Sequence, residues 1–377
     1  MKSLPVARIY RGTPRNLARL AGYLRDGGVV AVPTETVYGL AADALDGRAC
    51  RKIYAAKGRP ASDPLIVHIH ERRELDQLAV VNAAAERLIE RFWPGPLTLV
   101  LPKKPVVPAI VTAGLPSVAV RMPSHPLFRR LLALTGQPLA APSANRFGGV
   151  SPTTAEHVRQ GLGRKIRHIL DGGPAQIGLE STIVDLRDPR RPRLLRPGAI
   201  TREQLEHVLG RRVEIRHAAG GRPSAAAKAQ LAPGQLARHY SPRTPVTLHE
   251  RIDPKVAARG GRTDAWLFLS RPPGLKGPAV FWLSERGNLA EAARRLFAVL
   301  RQIDGRRFGR IHAELAPGGG LAEAINDRLR RAAARDVDVA GIADEAQRRP
   351  ANIRLKFASP APPVPSGRAR SGWACRR

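Results

Sequence analysis

The stretch from Val29 to Ile69, VVAVPTETVYGLAADALDGRACRKIYAAKGRPASDPLIVHI, constrains the fold more than any other part of the chain. Its opening apolar run stops at Pro33, and a turn-forming Thr34-Glu35-Thr36 segment follows. Arg48 to Ala56 is predicted as a helix that turns Ile53 and Ala56 toward a core. That helix ends in Lys57-Gly58-Arg59-Pro60, because glycine permits an unusual backbone and proline forbids continuation. Leu65 to Ile69 is short and apolar, as a buried strand requires. Two cations on a rigid turn, between strands that end in polar residues, make an anion pocket.

On either side of this stretch, apolar runs alternate with helical periods. Leu17, Leu20 and Leu24 place a helix over residues 15–24. Helices are also predicted over Ala83 to Phe92 and His125 to Leu134, and another is expected to begin within Ser151-Pro152-Thr153-Thr154. Strands are predicted at Leu97 to Leu101, Val118 to Val120, Ile166 to Leu170, Thr182 to Leu186 and Arg193 to Leu195, and Pro138 to Ala141 is apolar. The alternation is irregular, which favours an α/β fold with a twisted mixed sheet over a strictly parallel one. Residues 217–234 lack a sustained apolar period and read as a linker, although Tyr240 and its bulky neighbours are odd for a mere tether. From Val246 a second pattern begins, with strands at Trp266 to Leu269, Val280 to Leu283 and Arg310 to Leu315. Its helices fall at Leu289 to Ile303 and Leu321 to Ala334. The expected organisation is a first domain over 10–213, a linker over 214–245, a smaller α/β domain over 246–340 and a disordered tail over 350–377.

Composition narrows the class of protein. No run of about 20 uncharged apolar residues is present, so no membrane span is expected. The first residues lack the apolar core of a secretory signal, and Cys50 and Cys375 form neither a zinc motif nor a disulfide framework. A cytoplasmic location is expected. The net charge is +32, with 53 arginines and ten lysines against 31 acids, so polyanions such as RNA should be attracted. With 5% aromatic residues there is no stacking platform for bases, and the charge reads as diffuse.

Several chemistries are excluded by their missing signatures: the phosphate loop, the dinucleotide fingerprint, H-E-x-x-H and the nucleophile elbow. His68 and His70 could face one side of a strand, but no third metal ligand accompanies them. What remains is a set of polar loops, each at the end of an apolar run: Thr34-Glu35-Thr36, Lys57-Gly58-Arg59, Ser117 with Arg121, Ser143-Ala144-Asn145, Ser151, Glu180-Ser181-Thr182 and Arg196-Pro197-Gly198. Singly each is an ordinary cap, turn or surface cation. If the strand ends converge, they supply cations for phosphates and hydroxyls for a small polar molecule.

At these loops the chain resembles the threonylcarbamoyl-AMP synthases of the YrdC-like superfamily, in their longer two-domain form. The resemblance rests on PTETVYGL, on KGRP followed by PLIVHI, and on FWPGPLTLVL, VAVRMPSHP, APSAN with SPT, ESTIVD, LRPG and the linker segment PGQLARHYSPRTPV. It implies a YrdC-like domain followed by a smaller Rossmann-like α/β domain. The implied activity makes L-threonylcarbamoyladenylate and pyrophosphate from L-threonine, bicarbonate and ATP, with Mg²⁺ on the phosphates. A downstream transferase then carries the threonylcarbamoyl group to tRNA.

Carried over by motif, the resemblance implies that Thr36, His68, Arg121, Ala141 and Ser181 hold L-threonine. Arg59, Asp63, Ser117, Ser143, Ser151, Arg196 and Tyr240 hold ATP, and Lys57 and Arg59 form the catalytic cationic turn. Asp63 departs from the asparagine usual in the family and adds a negative charge near the phosphates. The alternative reading is an RNA-binding protein of this fold without synthase activity.

Overall fold

The computed structural model describes residues 6–215, 230–231, 239–260 and 263–334, all within one compact unit that carries two sheets. Most of the linker read from the sequence, Arg238 included, and the whole tail from residue 350 lie outside the described residues.

The first part of the chain runs β1 (Arg8–Arg11), α1 (Pro14–Arg25), β2 (Val30–Val32), β3 (Gly39–Asp43), α2 (Gly47–Lys57), β4 (Ile66–His68), α3 (Arg72–Leu78), α4 (Ala83–Phe92) and β5 (Leu97–Pro102). It continues through β6 (Ser117–Arg121), α5 (Pro126–Thr135), β7 (Leu139–Ala140), α6 (Ala155–Leu162), β8 (His168–Asp171), β9 (Thr182–Asp185), β10 (Arg193–Arg196), α7 (Arg202–Leu209) and β11 (Glu214–Ile215). The strands join in the order β1-β8-β2-β3-β7-β4-β6-β5-β9-β10-β11. Parallel and antiparallel pairs are equally numerous along this order, so the sheet is mixed as expected. The central strands are buried on both faces, which is why they read as unbroken apolar runs.

Local chemistry sets the helix ends. The Asp46 side chain caps α2, and Gly58 closes it with a left-handed φ of 66°. The Arg59 N–H reaches back to the Tyr54 carbonyl at 3.1 Å, and the chain then runs on through Pro60 to β4. The helix expected to begin within residues 151–154 instead starts at Ala155. Thr154 Oγ1 accepts the His157 N–H at 3.1 Å, so Thr154 is the cap and Pro152 lies outside the helix. Strand β3, GLAAD, was not visible in the sequence because glycine and alanine have poor strand propensity. Pairing with β2 and β7 on either side decides it. The short helix α3, the capping-box helix α7, and the edge strands β1 and β11 were also not anticipated.

The second sheet is built from β12 (Val246–His249), α8 (Pro254–Arg259), β13 (Ala265–Ser270), β14 (Val280–Ser284), α9 (Leu289–Gly305), β15 (Ile311–Glu314) and α10 (Leu321–Ala333). Its order is β12-β15-β13-β14, and every pair is parallel. The core around α9 and α10 takes in Val37, Val150 and Leu179 from the loops of the first sheet. The two parts therefore share an apolar cluster, and the loops that carry the polar motifs are packed from both sides.

Candidate active site

The polar loops converge on one cavity. Thr36, Arg59, His68, Arg121, Ala141, Ser143, Ser181, Arg196 and Tyr240 line it together, as do Thr34, Glu180 and His239. Four of the positions named from the sequence do not line it: Lys57, Asp63, Ser117 and Ser151.

On one wall, β4 and β6 run parallel with His68 opposite Arg121. Arg121 Nη2 lies 2.6 Å from Glu35 Oε1, Nη1 donates to Thr36 Oγ1 at 2.9 Å, and Nε donates to the Gly95 carbonyl at 3.1 Å. Thr34 Oγ1 accepts the N–H groups of Thr36 and Val37, each at 3.1 Å, and so shapes the turn that presents Thr36. His68 is neutral: burial, helped by the Arg121 charge and opposed by Glu35, drives it down to about 3. Its Nδ1 has no hydrogen-bond partner among the described residues.

This depression has a stability consequence. Between about pH 6.5 and pH 3 the unfolded chain takes up a proton at His68 that the folded chain refuses, so the fold is weakened as pH falls through that window. His68 alone should cost about 2 kcal/mol between pH 7 and pH 5. His157 and His239 are depressed in the same direction and add to the effect. Chemical denaturation at the two pH values checks this, and a His68→Gln variant should show a shallower loss.

The opposite wall is cationic. Arg59 is buried, with Nε donating to the Asp63 carbonyl at 2.9 Å and Nη2 to the Pro64 carbonyl at 2.7 Å. The same Nη2 lies 2.8 Å from Asp63 Oδ1. Asp63 is therefore the internal counter-ion of Arg59, set behind the cavity rather than in it. Burial pushes the Asp63 carboxyl above its ordinary range despite the pull of Arg59, Lys57 and Arg196. Arg196 reaches across from β10, donating through Nε to the Ser181 carbonyl at 3.0 Å and through Nη2 to Ser181 Oγ at 3.1 Å. Ser181 Oγ in turn is 2.7 Å from Thr98 Oγ1.

Lys57 corrects the reading of the cationic turn. Its ammonium points away from the cavity, donating to the Ser143 carbonyl and, at 2.8 Å, to the Asn145 carbonyl. Burial lowers its pKa well below the ordinary lysine range, reinforced by Arg59. It braces the APSAN loop and presents no free charge to the cavity. Ser151 is likewise turned aside, with Oγ donating to Glu180 Oε1 at 2.5 Å. Ser117 is buried at the start of β6, and its Oγ has no partner among the described residues.

Tyr240 is one of the residues that line the cavity. It is fully buried, with φ of 59°, its ring 5.4 Å from Phe297 and 4.1 Å from His239. The His239 N–H reaches the Arg331 carbonyl at 3.3 Å, and the Ser241 N–H reaches the Gly148 carbonyl at 2.8 Å. With Tyr240 in place, the cavity is about 40 Å³. A single water needs roughly 10–15 Å³ by this measure. The enclosed part of the space holds a few waters.

Glu180 and His239 were quoted in the sequence motifs but given no role there. Thr34 was seen only as part of a turn. Among the described residues, no group of three or more His, Cys, Asp or Glu is arranged to hold a metal ion. His68 faces the cavity, but His70 does not line it.

Buried guanidiniums facing a rim of threonine and serine hydroxyls define a class of site: one that holds a polyanion beside a small hydroxylated molecule. The comparisons with known proteins agree. A family model described as "Telomere recombination" matches residues 22–198, and one described as "Threonylcarbamoyl-AMP synthase, C-terminal domain" matches residues 200–334. The threonylcarbamoyl-AMP synthase of Pyrococcus abyssi is 44% identical over 320 residues, covering 83% of this chain and 92% of that protein. That of Bacillus subtilis is 42% identical over 326 residues, covering 84% and 92%. The crystal structure of P. abyssi Sua5 complexed with L-threonine superposes with a TM-score of 0.79 at 41% identity, covering 87% of this chain and 98% of that one. The chain belongs to the threonylcarbamoyl-AMP synthase family, in its long two-domain form, and is a nucleotidyltransferase-type enzyme. The alternative of an RNA-binding protein without synthase activity is not favoured.

Proposed function

We propose that this cavity condenses L-threonine, bicarbonate and ATP into L-threonylcarbamoyladenylate and pyrophosphate. The observation that carries the reading is the meeting of Arg59, Arg121 and Arg196 with Thr36, His68 and Ser181 around a single cavity. Threonine's amine forms a carbamate, either with carbon dioxide and loss of a proton or with bicarbonate and loss of water. A carbamate oxygen then attacks the α-phosphorus, and the bond to pyrophosphate breaks. Both partners are anions, so catalysis is mainly a matter of holding them together and offsetting charge in the transition state.

The walls divide the work. Three of the five donors of Arg121 are engaged within the protein, which leaves an N–H on each terminal nitrogen for the threonine carboxylate. Thr36, Ser181 and the neutral His68 lie close enough to meet threonine's hydroxyl and amine. Arg59 and Arg196 face the phosphates, with Ser143 beside them. Lys57 acts through the loop it braces, and Ser151 through Glu180. The buried carboxylates around the site, Glu35, Asp63 and Glu180, are each paired with an arginine. With these carboxylates engaged, a Mg²⁺ ion would be held by the triphosphate itself, where it would neutralise phosphate charge.

Incubation with labelled bicarbonate, L-threonine and ATP should yield threonylcarbamoyl-AMP and pyrophosphate in equal amounts. No labelled adenylate would refute the reading. The product is a labile mixed anhydride for a threonylcarbamoyl-transferring enzyme that acts on tRNA, and a cytoplasmic setting suits that hand-over. Among the described residues no helix is long and apolar enough to cross a membrane.

Tyr240 acts as a lid. Its ring stands among the residues that line the cavity, where it would exclude water from the bound adenylate. Tyr240→Ala should leave ATP consumption running while less of the threonylcarbamoyl-AMP survives. If the ratio of adenylate to pyrophosphate is unchanged in that variant, the linker is a passive tether.

Asp63→Asn removes the counter-ion of Arg59 and frees its charge for phosphate. The KM for ATP is expected to fall several-fold, with that for threonine unmoved. An unchanged or higher ATP KM would mean that the Asp63–Arg59 pair does not compete with the nucleotide.

A further inference from the structure

Arg328, on α10 of the second sheet, is the largest fully buried side chain among the described residues, at 0% exposure. Sequence reading gave it no role beyond membership of the helix predicted over Leu321 to Ala334. Its guanidinium instead packs against Glu180 and Tyr240, which line the cavity. Nε lies 3.1 Å from Glu180 Oε2, and Nη1 donates to the Pro197 carbonyl at 2.6 Å and to Asp327 Oδ2 at 3.0 Å. Its central carbon stands 5.4 Å from the centre of the Tyr240 ring. One side chain thus touches the loop before β9, the turn after Arg196, and the lid. Glu180 lines the cavity, and its other oxygen holds Ser151. From α9, Arg301 donates to the Ser151 carbonyl at 3.2 Å and to the Val150 carbonyl. Two helices of the second sheet, α9 and α10, therefore grip loops that carry nucleotide-side residues.

We propose that Arg328 is a positioning residue through which the second domain sets the nucleotide side of the active site, by neutralising Glu180 and fixing it, the Pro197 turn and Tyr240 in one arrangement. This rests on the synthase reading for its substrate and deepens it by assigning the second domain a part in ATP binding. The physical core is charge. Glu180 is 6% exposed and is ion-paired with Arg328 at 3.1 Å, with the charges of Lys57 and Arg196 also acting on it. Without that cation, a buried carboxylate faces the space where a triphosphate must sit, and like charges repel. The threonine wall of Thr36, His68 and Arg121 makes no hydrogen bond or ion pair with Arg328. The effect should therefore be one-sided.

The test measures ATP binding by calorimetry, independent of turnover, alongside steady-state KM values for ATP and threonine. Arg328→Met should weaken ATP binding about tenfold or more and move the threonine KM less than about twofold. Because the damage is an unpaired charge, adding Glu180→Gln should restore most of the lost ATP affinity. A double variant no better than the single one overturns the proposal, as does an equal rise in both KM values, which would indicate general loosening. If Arg328→Met does not fold, Arg328→Lys carries the test, since it keeps the charge and loses the fork. It should weaken ATP binding to a smaller degree, and a lowered unfolding temperature with unchanged ATP binding would show a purely structural role. A native protein that binds ATP but makes no adenylate would refute the synthase reading alone, because the binding comparison still decides the role of Arg328.

Discussion

Substituting L-valine for L-threonine is expected to reduce kcat/KM by about four to five orders of magnitude, because a site that hydrogen-bonds a substrate hydroxyl leaves buried groups unpaired when the hydroxyl is missing. The groups at stake here are Thr36, Ser181 and His68. Thr36 already receives Arg121 and lies 2.8 Å from Thr34 Oγ1, and Ser181 receives Arg196. Both hydroxyls are nearly saturated by protein partners and are held in fixed orientations. The His68 Nδ1 is the group left open, and at its depressed pKa it is a neutral imidazole over the whole working pH range. Valine would bring a methyl group against it. Pyrophosphate release measured with each amino acid at equal concentration decides the matter, and comparable rates would mean that the hydroxyl is not read at this site.

Arg196→Ala should produce the second large effect. The guanidinium is fully enclosed, spans the Ser181 carbonyl and hydroxyl, and faces the cavity beside Tyr240. Loss of one charge-assisted contact typically costs about 1.5–3 kcal/mol, which is roughly a 10- to 150-fold loss of rate. Since Arg196 also orients Ser181, the KM values for both ATP and threonine should rise, unlike the one-sided effect assigned to Arg328. An Arg196→Ala protein that stays folded and keeps normal KM values would place the phosphates elsewhere. Arg59→Ala is a poorer probe than its turn position suggests. Its removal strands Asp63, which is 1% exposed, and loss of one partner of a buried pair costs about 3–5 kcal/mol of stability.

Much of the architecture was legible because it depends on local pattern. The boundaries of α4 coincide with the sequence reading, and those of α1, α2, α5 and α9 differ from it by one or two residues. Caps and apolar periods act over single turns, so neighbouring residues suffice to read them. The strand β3 was not legible, since GLAAD becomes a strand only through partners on both sides. The same divide runs through the site. Ordered motifs named nine of the residues that line the cavity, because most of these motifs are the end of a strand or helix joined to a fixed turn.

The sequence by itself determined the family, through ordered motifs that match those of its relatives, and the mixed α/β fold, through local pattern along the chain. Tertiary structure alone decided which way each side chain faces and what it meets. Lys57 and Arg59 stand two residues apart on one turn, yet the carbonyls of Ser143 and Asn145 draw one inward while the other lines the cavity. Asp63 looks from the sequence like a charge set against ATP, and in the fold it is the partner of Arg59. Arg328 is one of 53 arginines, and only the packing of α10 against the loops at Glu180 and Pro197 distinguishes it. The physical reason is common to all three: the energy of a buried charge depends on partners distant along the chain, which no local pattern records.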